Sequence, residues 1–324
     1  MGGDLGPQPS LEAALVCLDS FPRLRLQWIG PANQLQGMLA QVPASQQHLL
    51  PRISIIGADD VVELADDVLV ALRQKQDSSM SIALQRVADG LADACVSCGN
   101  SAALMALSRQ LLETLPGFDR PAFASHIPTT GAPCLVVDMG ANLSPSAEQL
   151  LQYAISGQAL EQALQPNSPV QVGLLNIAAE AGKGQPEVQS AHHLLSDHDD
   201  VSYYGYIEPQ DVFRGKVNVL VCDGYAGNVL IKSAEGVSHM LAGMFESHVQ
   251  QGIACADIQA KLVQPLQSRL DPRKLNGAFL LGLQSLVVKS HSYADTTALV
   301  AAITSAVQYL EMQFTEHVAD AATE

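Results

Sequence analysis

The sequence predicts a single α/β domain over residues 1–324, with a doubly wound, mainly parallel sheet and helices on both faces. Two observations carry this prediction. Short apolar runs recur along the chain, and the clearest, VNVLV at 217–221, has the near-continuous apolar character of a parallel strand buried on both faces. Each run stops at a turn of small or polar residues before a helical pattern begins, as in parallel sheets with crossover helices.

The first ninety residues contain alternating short elements. The predicted elements are, in order, a helix at 11–18, strands at 24–28 and 53–56, a largely helical stretch at 59–73, and a helix that follows the serine-rich turn 75–80 and ends near residue 90. A glycine turn, MGGDLGP at 1–7, precedes them without a strand in front of it.

Four strand–turn–helix units carry the functional signal. Their strands lie at 92–98, 134–137, 217–221 and 286–288, and each ends at glycine, asparagine, serine or lysine residues. In an open parallel sheet such turns share the carboxyl edge, so we expect them to converge on one crevice. The helix that follows 217–221 offers unpaired N–H groups and a positive dipole end, which favours an anion.

The strand at 170–177 leads into a loop in which Lys183 lies between Gly182 and Gly184. Glycine lets the backbone approach a ligand closely, and a lysine there suits contact with a phosphate or a carbonyl oxygen. A solvated loop lysine is an equally good interpretation of this pattern.

The charge balance limits the partners. The chain has 33 acidic and 17 basic residues and a net charge of −16, which argues against nucleic acid. An anionic substrate needs local cations, and the candidates are Lys183, Lys232, Lys289 and the cluster formed by Arg269, Arg273 and Lys274. The sequence shows neither a membrane-spanning apolar run nor a signal peptide, so the expected location is the cytoplasm.

Cysteine and histidine patterns do not predict a metal or a cofactor. Cys95 and Cys98 form a C-x-x-C pair without a second pair or a histidine partner, so core packing is favoured over redox or metal chemistry. His192, His193 and His198 lie in an acidic polar stretch, which favours a solvated face over a metal site.

Residues 236–283 depart from the strand–helix rhythm. Apolar residues recur at helical spacing, including Met240, Met244, Leu262 and Leu266. We expect a helical protrusion that buries these stripes against a second copy of the chain. Contact with a membrane surface is the alternative, although the segment lacks a lysine-rich face with Trp or Phe.

Seven motifs occur in an order that spans almost the whole chain. They are MGGDLGP at 1–7, KQDSSM at 75–80, ACVSCGN at 94–100, DMGAN at 138–142, VGLLNI at 172–177 with Lys183–Gly184, VCDG at 221–224 with Gly227–Asn228, and GAFLLG at 277–282 with KSH at 289–291. Together they resemble the PlsX-type phosphate acyltransferases.

The resemblance implies a phosphotransacetylase-like fold and a homodimer that acts in the cytoplasm, with peripheral contact at the inner membrane face. It also implies acyl transfer from acyl carrier protein to inorganic phosphate, giving acyl phosphate for phospholipid synthesis without a cofactor or a metal. The implied catalytic residues are Lys183, Asn176, Asn228, Lys289 and His291. The implied phosphate-binding residues are Gly3, Asp4, Gly99, Asn100, Ser101, Gly140, Asn142 and Gly227.

Phosphate can attack the thioester itself, and Cys98 is the less favoured alternative, a covalent nucleophile. Several positions depart from the family pattern: a strand usually precedes the first glycine turn, Ala102 and Ala178 replace glycines, Ala179 replaces a glutamate, and Ser285 and Ser292 replace glycines. Two other functions therefore stay open. One is acyl transfer from coenzyme A, and the other is a non-catalytic scaffold that binds acyl carrier protein.

Overall fold

A computed structural model of the chain describes residues 1–116, 118–180, 182–250 and 276–313, and the single residues 261, 265, 271, 273 and 318. The strands are β1 (Leu26–Gly30), β2 (Ile53–Gly57), β3 (Ala94–Ser97), β4 (Ala122–Ile127), β5 (Cys134–Val137), β6 (Val172–Leu175), β7 (Tyr203–Ile207), β8 (Val219–Val221), β9 (Ala278–Leu281) and β10 (Leu286–Lys289). The α-helices are α1 (Gln8–Ser20), α2 (Ala32–Leu39), α3 (Val68–Gln74), α4 (Ser79–Ala88), α5 (Ser101–Leu111), α6 (Ala147–Leu164), α7 (Pro186–Ser196), α8 (Pro209–Val212), α9 (Gly224–Gln250) and α10 (Thr296–Glu311), and a 3-10 helix spans Ala44–Arg52.

Eight strands form the central sheet in the order β3-β10-β9-β4-β5-β8-β6-β7, while β1 and β2 form a separate parallel pair. Pairing is parallel between β3 and β10 and throughout β5-β8-β6-β7, and antiparallel on both sides of β9 and between β4 and β5. The predicted α/β class with a mainly parallel sheet is confirmed.

The antiparallel pairings reverse the direction of part of the sheet. Strands β3, β10 and β4 run opposite to β5, β6, β7, β8 and β9. The strands β3 and β10 therefore finish at one end of the strand axis, and β5 and β8 finish at the other. The expectation of one shared carboxyl edge was wrong, because it assumed that the whole sheet was parallel.

Helices cover both faces of the sheet, as a doubly wound fold requires. On one face α6, α7 and α10 pack on a core that includes Leu135, Leu174 and Phe279. On the other face α4 and α5 cover the β3-β10 side, and α8 and α9 cover the β5-β8 side. The two helix groups on this second face leave a crevice between them over β4 and β9.

Some predicted boundaries differ from the structure. Only Val68–Gln74 of the predicted 59–73 helix forms α3, because polar contacts hold the preceding segment, including a 2.7 Å ion pair between Lys75 and Asp66. Helix α9 begins at Gly224, so the small residues predicted as a turn form its first turn, where Asp223 accepts a hydrogen bond from the Ala226 N–H at 2.8 Å.

The segment 236–283 is described in part. Helix α9 continues to Gln250, and Val237, Met240 and Met244 are exposed on it by 52%, 57% and 51%. Leu262, Leu266, Arg269 and Lys274 lie outside the described residues. Among the residues that the structure describes, no helix is long and apolar enough to cross a membrane.

Candidate active site

The crevice between α5 and α9 holds a cavity of about 210 Å³. Four of the predicted catalytic and phosphate-binding residues line it, Ser101, Asn228, Lys289 and His291, together with the candidate cation Lys232. The four come from the start of α5, the second turn of α9, and the end of β10 with the loop after it. The floor includes Phe123 and Ser125 of β4, so the site combines an apolar surface with cationic walls.

Lys289 is the last residue of β10 and lines the cavity. The two residues before it, Val287 and Val288, pack on opposite faces of the sheet. Because side chains alternate along a strand, Lys289 lies on the same face as Val287, where the crevice is. Its ammonium donates to the Ser290 carbonyl. Burial lowers the pKa of Lys289 to about 8, with a smaller lowering by Lys232 that Cys98 opposes. Within the described residues, no carboxylate lies within ion-pair distance of this lysine.

Glu235 links a lysine and a histidine at the cavity. Its Oε2 lies 3.1 Å from Lys232 Nζ, and its Oε1 lies 3.4 Å from His291 Nε2. The hydrogen bond from His291 and then that from Lys232 outweigh burial and lower the pKa of Glu235 to about 2. Sequence analysis did not single out Glu235, because a glutamate three residues after a lysine on a helix resembles an ordinary surface pair.

Asn276 supports the loop that carries His291. This buried side chain donates to Ser290 Oγ at 2.6 Å and to the Ala298 carbonyl at 2.8 Å, and its Oδ1 accepts the His291 N–H at 3.2 Å. Its partners lie 14 to 22 residues further along the chain, so no local motif indicated this role.

Asn142 and Gly140 donate hydrogen bonds to a buried carboxylate of the protein itself. Asp138 accepts the N–H groups of Phe123, Gly140, Ala141 and Asn142 at 2.6–3.1 Å, and the Asn142 side chain at 3.2 Å. The Asn142 amide also donates to the Pro121 carbonyl at 2.9 Å. Burial raises the pKa of the Asp138 carboxyl, and these N–H groups oppose the rise. The loop after β5 is therefore organised around Asp138.

Gly227 lets α9 approach this loop. A Cβ atom at Gly227 would lie 1.8 Å from the Asp138 carbonyl oxygen, so no larger residue fits without movement. The structure thus accounts for Gly227 by packing, while its neighbour Asn228 is exposed and faces the cavity.

Asn100 caps α5 and anchors a distant loop. Its Oδ1 accepts the Ala103 N–H at 3.0 Å, and its amide donates to the carbonyls of Leu64 and Asp66 at 3.0 and 3.2 Å. The preceding Gly99 is buried against Met80, whose Cε a Cβ atom would approach to 2.6 Å. Of the predicted turn 99–101, only Ser101 lines the cavity.

Asn176 and Lys183 belong to a second loop, away from the residues that line the cavity. The buried Asn176 amide donates to the carbonyls of Ala178 and Lys183, both at 3.1 Å. Gly184 has a positive φ of 92°, and a Cβ there would lie 2.0 Å from Asn176 Oδ1. Asn176 therefore fixes the loop backbone and leaves the Lys183 side chain exposed.

The N-terminal glycine turn packs beside the loop after β10. The Asp4 N–H donates to the Ser292 carbonyl at 2.7 Å, and Ser292 Oγ donates to Asp4 Oδ2 at 2.7 Å. A Cβ at Gly3 would lie 2.8 Å from Cys98 Sγ, so this turn covers the Cys98 thiol closely. The turn thus reaches the neighbourhood of the crevice without lining the cavity.

Cys95 is buried and unpaired, and burial raises the pKa of its thiol to about 12, in agreement with the core-packing prediction. His192 hydrogen-bonds Tyr203 at 2.8 Å and stacks on Tyr206, so it is packed rather than solvated. In the described part of the chain, no group of three or more His, Cys, Asp or Glu residues is arranged to hold a metal ion.

The fold, a mainly parallel sheet with helices on both faces, is similar to that of the phosphotransacetylases. The solved phosphotransacetylase of Streptococcus pyogenes matches with a TM-score of 0.50 and 16% identity, over 89% of this chain and 94% of that one. This likeness concerns the fold alone.

The chain belongs to the fatty acid synthesis protein family, whose model matches residues 1–317. It is 43% identical over 314 residues to the phosphate acyltransferase of Stutzerimonas stutzeri strain A1501, covering 96% of this chain and 87% of that one. It is 40% identical over 324 residues to the phosphate acyltransferase of Shewanella sp. strain ANA-3, covering 99% and 94%. The resemblance read from the motifs is confirmed.

Proposed function

We propose that this chain is an enzyme that transfers an acyl group from a thioester to inorganic phosphate and releases acyl phosphate. Family membership and the name shared by the curated relatives support this function. The observation that carries it is Lys289, a half-buried cation that lines the cavity and, among the described residues, has no carboxylate partner. A phosphate dianion in the cavity supplies the negatively charged partner that this lysine lacks.

The reaction needs little from the protein beyond positioning and charge. An oxygen of hydrogen phosphate forms a bond to the thioester carbonyl carbon, and the carbon–sulfur bond breaks. The proton of hydrogen phosphate ends on the thiol sulfur, so atoms and charge balance. Lys289 and Asn228 face the cavity where the attacking anion and the carbonyl oxygen would lie, and such preorganised donors are typically the largest catalytic contribution.

The proposed roles of the other predicted residues follow from their contacts. Asn100, Asn142 and Asn176 hold backbone segments around the site through their side-chain amides, and Gly99, Gly140 and Gly227 allow those segments to pack. Gly3 and Asp4 position the loop after β10. Lys183 contacts phosphate only if its loop comes closer when substrate binds, and that remains a prediction.

Acyl carrier protein is the proposed acyl donor, and coenzyme A thioester is the second candidate. Acyl carrier proteins of such systems are acidic, and a chain with a net charge of −16 must receive one on a local basic patch. Arg273 of the predicted basic cluster pairs with Asp271 at 2.8 Å and Asp295 at 2.9 Å, so its charge is offset within the chain. We therefore do not place the docking surface for acyl carrier protein at Arg273.

We also propose a homodimer and cytoplasmic action, with peripheral contact at the inner membrane face. The exposed apolar stripe Val237, Met240 and Met244 of α9 supports a surface that is covered in the working protein.

The test of the function is incorporation of labelled inorganic phosphate into acyl phosphate, with long-chain acyl-acyl carrier protein, acyl coenzyme A and no donor compared side by side. We expect product with the carrier protein and a large loss in Lys289→Gln. Lys216→Gln, which alters an exposed lysine that pairs with Asp211, should retain activity. Absence of product with both donors, together with binding of acyl carrier protein, would show a scaffold instead.

A further inference from the structure

The Glu235 carboxylate joins two walls of the crevice. Lys232 lies one turn earlier on α9, and His291 lies in the loop after β10, 56 residues further along the chain. All three residues line the cavity. The carboxylate uses one oxygen for each of these two side chains, at 3.1 and 3.4 Å, so a single residue contacts both.

His291 is restrained from three directions. Glu235 lies at its Nε2, the Tyr293 ring stacks on the imidazole with a centroid distance of 5.2 Å and an interplanar angle of 13°, and Asn276 accepts its backbone N–H. A functional group held in this way loses little freedom when substrate binds, which is the condition for efficient positioning.

We infer that Glu235 is a positioning residue for acyl transfer, which holds the His291 imidazole and the Lys232 ammonium at the cavity while Lys289 is left to receive phosphate. The inference rests on the proposed function. The reaction moves a proton from hydrogen phosphate to the departing thiol, and imidazole is the side chain best suited to transfer a proton near neutral pH. Glu235 acts through His291 and need not contact the substrate.

The burial of the Glu235 carboxylate favours a positioning role for it over that of an ordinary surface ion-pair residue. The Glu235 side chain is 16% exposed, against 33% for His291 and 52% for Lys232. A carboxylate so enclosed has few partners other than these two side chains, and removal of its charge takes away the contact that they share. Exposed ion pairs, by contrast, are worth little.

The chain offers a closely matched control. Asp211 also bridges two cations, Arg214 at 2.8 Å and Lys216 at 2.7 Å, and its side chain is 17% exposed. It lies on α8 and does not line the cavity. Glu235→Gln and Asp211→Asn therefore remove the same charge from the same kind of bridge, one at the site and one away from it.

The experiment measures steady-state acyl phosphate formation by the full chain with varied phosphate. We expect Glu235→Gln to lower kcat by about 10- to 100-fold, less than the roughly 10²- to 10⁴-fold that a positioned acid–base group contributes, because His291 itself is retained. The KM for phosphate should change by less than about threefold, because Lys289 is intact. Glu235→Asp, which keeps the charge, should recover part of kcat, and Asp211→Asn should match the wild type.

A second measurement does not depend on turnover. Diethyl pyrocarbonate modifies free imidazole nitrogen, and mass spectrometry of the modified peptide reports its rate at His291. We expect faster modification in Glu235→Gln and an unchanged rate in Asp211→Asn, because only the first substitution releases Nε2 from its carboxylate.

Several results would overturn the inference. Equal kcat in Glu235→Gln and wild type would do so, as would an unchanged modification rate at His291. A lower KM for phosphate at unchanged kcat would show that Glu235 merely competes with phosphate for the cations. Failure of the wild type to form acyl phosphate with any donor would instead overturn the proposed function, and the modification rate would still report whether Glu235 holds His291.

Discussion

The backbone N–H of Asn142 donates to Oδ2 of Asp138 at 2.6 Å, the shortest of the hydrogen bonds that the described residues supply to this buried carboxylate. The Asn142 side-chain amide donates to the same carboxylate oxygen at 3.2 Å and to the Pro121 carbonyl at 2.9 Å, which accounts for an asparagine in one motif with this aspartate. The carboxylate gathers N–H groups that would otherwise be unpaired in the interior.

Asp138→Asn should therefore destabilise the fold. The asparagine side chain has an NH2 group in place of one carboxylate oxygen, so some of the buried N–H donors lose their acceptor. We expect the free energy of unfolding to fall by about 2–4 kcal/mol. Denaturant unfolding measures the change. Asp77→Asn, at an exposed turn, should stay within about 0.5 kcal/mol of wild type. A similarly small change for Asp138→Asn would contradict the organising role of this carboxylate.

Two glycines of α9 should respond in opposite directions to alanine. At Gly227 a Cβ would meet the Asp138 carbonyl oxygen at 1.8 Å, whereas at Gly236 it would meet nothing within 4 Å. We expect Gly227→Ala to lower the melting temperature markedly, because α9 must move away from β5. Gly236→Ala should stabilise by roughly 0.5–1 kcal/mol, since alanine is the better helix former. Calorimetry of both variants checks the contrast, and equal shifts would count against the close approach.

The low pKa of Lys289 gives a prediction for pH dependence. Burial lowers this pKa from 10.5 to about 8, so the cation that should attract phosphate is present below pH 8 and is lost as pH rises through about 8. The value of kcat/KM for phosphate should fall across that range, because it reports the free enzyme. Lys289→Arg keeps its charge and should move the alkaline fall upward, even if its maximum is lower. The same alkaline profile in both proteins would exclude Lys289 as the titrating group.

Lys183→Ala tests whether the second loop takes part in the reaction. If Lys183 contacts phosphate in the transition state, its loss should lower kcat/KM by about 100-fold or more, with unfolding unchanged because the side chain is exposed. Lys216→Ala provides the comparison at another exposed lysine. Near-full activity of a well-folded Lys183→Ala variant would make Lys183 an ordinary loop residue.

The α9 stripe tests the proposed homodimer. Met240→Glu places a charge on an exposed apolar surface, and a buried unpaired charge at an interface is costly, so light scattering should show a smaller species than for wild type. His239→Glu adds the same charge at a neighbouring exposed position beside the stripe and should leave the mass unchanged. An unaltered mass for Met240→Glu would place the dimer contact elsewhere.

The strands and helices that sequence analysis found are those with uniform local patterns. The runs that became β5, β8 and β10 are apolar and stop at polar turns, which is sufficient to recognise a parallel α/β sheet. Strand β4, AFASHI, was not recognised, because Ser125 and His126 interrupt its apolar pattern. Its reversed direction depends on pairing with β9, more than 150 residues away in the chain, and no local pattern encodes such a partner.

Sequence analysis names residues of the candidate site, but it does not find the contacts that these side chains make within the chain. Asn100 and Asn142 were expected to bind phosphate and Asn176 to act in catalysis, and the structure gives all three amides carbonyl partners in the chain itself. The partners of Asn100 and Asn142 are set by tertiary packing, since Leu64 and Pro121 lie 36 and 21 residues away, whereas the Asn176 amide contacts its own loop. Ser101, Asn228, Lys289 and His291 line one cavity, and their roles there stay predictions.

The order of strands also bears on synthesis of the protein. Strands β9 and β10, made last, lie between β3 and β4, which are made much earlier. A nascent chain that has not yet emerged beyond residue 277 leaves β3 without its partner β10 and exposes an unpaired edge on β4. Open strand edges favour pairing with other chains. Until β9 and β10 insert, the ribosome-bound chain is thus exposed to aggregation through these strand edges. A chaperone has most to protect during this period.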